Sequence, residues 1–131
     1  MHNRTLILAV LCAVAVVLPV QAHHSHNNYD LSMWTPFEGT VKQVHYLFPH
    51  SWIYMEAKNE KGEAVTWALE AANPNSIFEN GVTKDHVRSG DRIKVRCHLL
   101  RDGSPGCLLG FITPDHGDAA RGHGIERQWE R

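Results

Sequence analysis

Basic charge is not in excess in this chain. Its 13 Lys and Arg residues are set against 14 Asp and Glu, a formal net charge of −1 with histidine neutral. A nucleic-acid partner is therefore not expected, because phosphate-backbone binding needs a basic surplus on one face. No glycine-rich phosphate loop, no serine or cysteine nucleophile motif and no C-x-x-C pair is found in the sequence. Phosphoryl transfer, nucleophilic hydrolysis and dithiol redox chemistry lose their usual signatures with them. The Cys/His spacing of a zinc finger is missing too, and no internal repeat stands out. The one long apolar run, residues 6–17, is shorter than the roughly 20 residues a membrane span needs.

That apolar run follows Arg4 and leads to Pro19, then to Val20-Gln21-Ala22. A basic start, an apolar middle and small residues at the end have the form of an export signal cut after Ala22. The alternative, an uncleaved anchor, is disfavoured by the short run. Leu11 before Cys12 also argues against a lipid anchor there. The expected organisation is a signal peptide at 1–22, a histidine-rich arm at 23–33, a β domain at 34–114 and a flexible tail at 115–131. The mature chain would be periplasmic or secreted, with no membrane attachment after cleavage. Its length suits one modest core.

The domain reads as short strands. In 37–48, Phe37, Gly39 and Val41 share one parity, while Val44, Tyr46 and Phe48 share the other. Such a switch is what a β-bulge near Lys42-Gln43 produces. Segments 51–58 and 64–71 form a hairpin if Glu60-Lys61-Gly62 is its loop, with Gly62 left-handed. Asn59 then faces Glu63, and Ile53, Met55 and Ala57 face Leu69, Trp67 and Val65. All six are apolar, so burial selects this register over a one-residue slip. Asn73-Pro74-Asn75 opens a short helical turn that Gly81 stops, and Thr83 can cap a second one. In 91–99, Ile93, Val95, Cys97 and Leu99 point one way. With Arg101-Asp102-Gly103 as a three-residue loop, Cys107 lies opposite Cys97, Leu109 opposite Val95 and Phe111 opposite Ile93. Export would favour a disulfide between Cys97 and Cys107; two buried thiols are the alternative. The order of three strands, a helical plug and two strands predicts an all-β fold, a small five-stranded OB-like barrel. A small β-sandwich is the alternative.

Several short motifs together resemble an uncharacterised family of small exported bacterial proteins, domain of unknown function family 6152. They are His23-His24-Ser25, Gly39, Pro49-His50-Ser51-Trp52, Asn73-Pro74-Asn75 and Asp102-Gly103-Ser104. The likeness covers about residues 22–113. Phe48 stands where members often have Asn, and Val82 where they often have Trp. The cysteine pair and long tail are further departures. The resemblance implies an exported single domain and supplies no activity.

Ten histidines are many for so short a chain. Cleavage after Ala22 would give His23 an α-amine beside its imidazole, and both release a proton to a metal readily near neutral pH. That pair with a second histidine makes a T-shaped nitrogen site, which suits Cu(II) first and Ni(II) or Zn(II) behind it. The candidate metal ligands are His23, His24, His26 and His50, with His45 the next choice. A solvated tail is the plain alternative for the cluster, and a backbone hydrogen bond for His50. His98 is expected on the exposed charged face, and His86, His116 and His123 on the surface or in the tail. A second function class is a non-enzymatic binding or adaptor module that takes a small ligand or protein partner on an outward face formed by Trp52, Tyr54 and Glu70. These aromatics could equally lie under the arm or tail. No catalytic residue is assigned: Glu56 and Glu70 share a face, but carboxylates on a hairpin are ordinarily solvated. A copper oxidase with a terminal histidine brace would need a larger substrate platform.

Overall fold

The computed structural model describes residues 26–131. The expected signal at 1–22 and the candidate ligands His23 and His24 lie outside the described residues. Six strands follow in order: β1 (Thr35–His45), β2 (Trp52–Lys58), β3 (Ala64–Glu70), β4 (Arg92–Leu99), β5 (Gly106–Pro114) and β6 (Arg127–Gln128). One helix, α1 (Pro74–Glu79), lies between β3 and β4. The sheet order is β3-β2-β1-β4-β5-β6, and an added parallel contact between β3 and β5 closes the first five strands into a barrel. This is the strand order of an OB-type barrel, as the element order predicts.

β1 has to serve two neighbours. Thr35 to Thr40 pair with β4, while Thr40 to His45 pair with β2 and the register shifts between Val41 and Gln43. The bulge lies where the apolar parity switches in the sequence. Just before it, Gly39 packs against β2 so closely that a Cβ would stand 2.3 Å from the Glu56 carbonyl oxygen. The bend of β1 is thus written in a missing side chain and an inserted residue.

The β2–β3 hairpin has the expected register, including Ile53 opposite Leu69 and Met55 opposite Trp67. Gly62 has φ +78°, and Asn59 donates its N–H to the Glu63 carbonyl. α1 begins where Asn73 accepts from the Ser76 N–H at 3.1 Å, with Pro74 in the first turn. Its Ile77 is completely buried in the core. That core is formed by inward residues of all five barrel strands, among them Val41, Ile53, Leu69, Ile93 and Leu109.

Three expectations need correction. The segment after Thr83 forms turns, not a second helix. Its polar groups are spent elsewhere: the Asp91 carboxylate accepts the Arg88 N–H, and the Gly90 N–H and Asp91 carbonyl bond to Val41. Such local and cross-strand bonds compete with helix formation.

The β4–β5 hairpin has a longer connection than a three-residue loop. Leu100 donates to the Gly106 carbonyl, and Pro105 cannot donate to a ladder. Cys97 therefore faces Leu109 and Cys107 faces Leu99, with a register shift between Arg96 and Cys97. Val95 faces Ile112, and Ile93 faces Pro114. The two cysteines are diagonal neighbours on the inner face and are bonded, with Cα atoms 5.7 Å apart. The disulfide survives an incorrect register because diagonal pairs on one face are also within reach.

The C-terminal segment, expected to be loose, is folded. Asp118 caps a short 3-10 turn at Ala119–Arg121, β6 pairs with β5, and Trp129 is completely buried. Its N–H donates to the Gly110 carbonyl, and its own carbonyl accepts from Ala72. A polar, glycine-rich segment without periodicity lacks a local signal, but one large apolar ring can anchor it.

Two substitutions test this packing. Trp129→Ala should cost about 3–5 kcal/mol, as expected for truncating a buried aromatic. Gly39→Val should cost about 2–3 kcal/mol through overpacking against β2. Urea denaturation of each variant measures both.

Candidate functional site

The arm preceding β1 is pinned to the β4–β5 end of the barrel. Tyr29 bridges to Leu100, and Asp30 donates its N–H to the Leu99 carbonyl. Arg101 returns the favour: its N–H bonds the Asn28 carbonyl, and its Nε reaches the carbonyls of Asn27 and Tyr29. This fixes where the arm enters and delivers the Tyr29 ring into the body, where it is buried.

At that point Tyr29 donates its hydroxyl to Glu70 Oε2. Glu70 ends β3 and faces Trp52 across the hairpin. Its other oxygen stands 3.5 Å from His50 Nδ1. His50 is held at its corner by the next residue, since Ser51 donates to the Ala72 carbonyl and accepts from the Ala71 N–H. A phenol, a carboxylate and an imidazole from three separate segments thus form one chain. Burial, then the hydrogen bond and charge of Glu70, push the Tyr29 phenol well above its ordinary range.

His50 also lines a cleft of about 670 Å³, a size that suits a small-molecule ligand. Leu31, Phe48, Pro49, Leu108 and Leu109 contribute apolar wall, while His26, Asn73, His98, Glu130 and Arg131 contribute polar groups. Two of the four candidate metal ligands, His26 and His50, therefore share one cleft. His45 stands apart on β1, 3.1 Å from the Gln43 side chain. Among the described residues, no group of three or more His, Cys, Asp or Glu is arranged to hold a metal ion. A site here would draw further donors from His23 and His24.

Of the candidate partner face, Glu70 lies behind His50 rather than on an open surface. Trp52 and Tyr54 are half-buried, and neither lines the cleft. Tyr54 meets His45 edge-on, with ring centroids 5.8 Å apart.

Two histidines are placed otherwise than expected. His98 is buried: it stacks on Trp34 with centroids 3.8 Å apart, and its Nδ1 lies 2.7 Å from the Met33 carbonyl oxygen. The returning arm covers what β4 alternation marks as an outward position. His86 is buried as well, under the C-terminal segment. Tyr29 was not singled out by sequence reasoning. Its only signal is that it is the lone aromatic ring in the polar stretch His26-Asn27-Asn28-Tyr29-Asp30.

A family model described as "Family of unknown function (DUF6152)" matches residues 10–109. The chain belongs to this family. No curated protein and no solved structure matches the chain. Membership of DUF6152 carries no activity with it, so the cleft's chemistry must be argued from its own residues.

Tyr29→Phe leaves the Glu70 carboxylate without its phenolic donor. It should lower stability by about 1.5–3 kcal/mol in chemical denaturation, in the range for hydrogen bonds to charged groups.

Proposed function

We propose that this is an exported, non-enzymatic binding domain whose cleft holds a transition-metal ion, Cu(II) in preference to Ni(II) or Zn(II). The ligands would be the mature terminal histidines, His23, His24 and His26, together with His50. The observation that carries this reading is that His26 and His50, 24 positions apart in the sequence, line one cleft. His23 lies three residues before His26, and three residues span at most about 10 Å. Its amine and imidazole are thus within chain reach of the same cleft. The Glu70 contact to His50 Nδ1 adds support, because metal-binding histidines commonly hold their second ring nitrogen on a carboxylate. The carboxylate orients the ring and raises its basicity. Periplasmic or secreted location is part of this proposal, since the terminal amine exists only after cleavage.

The cleft's apolar wall favours a second reading, in which it takes a small amphipathic ligand without a metal. Leu31 and Phe48 remain substantially exposed at this wall, as they would if a ligand covered them.

Copper titration of protein beginning at His23, compared with the same protein acetylated at its α-amine, tests the terminal chelate. Acetylation should weaken binding by about tenfold or more, because it removes the amine from its six-membered chelate with the imidazole. Equal affinities would overturn the chelate. His50→Ala should also weaken binding by about tenfold or more, on the scale of lost support in metal sites. Unchanged binding would remove His50 from the site, and no tight binding to any form would leave the amphipathic-ligand reading.

A further inference from the structure

The C-terminal segment lies over a buried histidine and also lines the cleft. His86 is 2 % exposed, and neither ring nitrogen makes a hydrogen bond of normal geometry; the Ile125 backbone supplies a weaker polar contact. The Trp129 ring stacks beside it, with centroids 6.2 Å apart. Trp129 also stacks on Tyr46, with centroids 6.0 Å apart. Trp129 Nε1 is buried without a partner.

The groups around His86 leave no place for a second positive charge. Arg121, His123 and Arg127 all face it and disfavour protonation. Nearby carboxylates are committed: Asp91 to Arg121, with His123 Nε2 3.7 Å away; Asp85 to Arg88 at 2.8 Å; and Asp118 to the Arg121 N–H. Burial, outweighing the Ile125 contact and helped by those cations, lowers the imidazole from its ordinary 6.5 to about 4.

Few bonds hold the end of the segment, residues 127–131, over this histidine. They are the two-residue strand β6, the Trp129 backbone bonds to Gly110 and Ala72, and Asn80 donating to the Gln128 and Glu130 carbonyls; upstream, Arg121 is anchored on Asp91 and the Asp85 carbonyl and Glu126 on Arg96. Ala72, Glu130 and Arg131 line the cleft. Lifting Trp129 would therefore hydrate His86 and remove one wall of the cleft in the same movement.

We propose that residues 127–131 form an acid-released strap: protonation of His86 expels Trp129 and opens the cleft, whatever ligand the cleft takes. The open form protonates at the ordinary histidine value and the closed form only near 4. Closure is therefore strongest above pH 6.5, weakens as pH falls toward 4, and loses nothing more through His86 below that. The Asp91 carboxyl is partly buried, which alone would raise it, but Arg121 and the Arg88 N–H hold it below its ordinary 3.8. Its pairing with Arg121 persists through the histidine window and fails only at lower pH.

Hydrogen–deuterium exchange of the full mature chain, corrected for intrinsic exchange, tests the strap. Between pH 7 and 4.5, residues 127–130 should lose protection by about sixtyfold, the ratio set by the two histidine values, while β4 keeps its own. His86→Phe should abolish that loss, and His86→Asn should do so if the larger ring disturbs folding. Unchanged strap protection in the wild type would overturn the proposal. So would the same pH midpoint in both variants, or loss of β4 protection together with the strap.

Discussion

The parallel contact between β3 and β5 is the constraint on which the rest of this structure depends. It consists of three residue pairs, Ala68 with Gly106, Leu69 with Cys107 and Glu70 with Leu108. Without it the sheet would end in two open edges, each offering unpaired backbone groups to other chains. Closing a five-stranded sheet forces β1 to bend around two neighbours, and Gly39 with the bulge at Val41 permits this. The same contact sets the end of β3 beside β5. Glu70 thereby arrives where Tyr29 and His50 can reach it, and Leu108 and Leu109 become cleft wall.

A barrel this small encloses little apolar volume and is helped by additions at its margins. The disulfide joins β4 to the strand that makes the closing contact, so it stiffens both partners of Cys107. The arm and the C-terminal segment then cover further surface of the barrel. Trp34 of the arm lies on His98 and Arg96 lies over Phe111 at 4.1 Å, while Trp129 fills the space beside Tyr46 and His86. Both additions end at one cleft, which is why a domain without a deep interior site still has a concave one.

Ionisable groups divide between two kinds of environment. At the cleft, Glu70 accepts from a buried phenol and meets an imidazole, an arrangement with polar partners on both sides. At His86 the imidazole lies against the Trp129 ring, is faced by cations and has only a weak backbone contact at Ile125. The first favours binding at a histidine; the second stores a cost that a proton can release. Their link is the short stretch from Trp129 to Arg131.

By itself the sequence determined what depends on near neighbours. Strand alternation, the bulge in β1, the β2–β3 register, the Asn73 cap and the left-handed Gly62 all follow from side-chain period, turn chemistry and the absence of a Cβ, and these act over a few residues. The five-stranded order was legible for the same reason. Only the tertiary structure decided which edges close, that β4 shifts register before Cys97, and that the tail docks through Trp129. It also decided that His98 and His86 are covered, and that His26 and His50 meet at one cleft while Trp52 and Tyr54 do not. These depend on surfaces brought together from distant parts of the chain, where the gain from burying a ring or closing an edge outweighs any local preference.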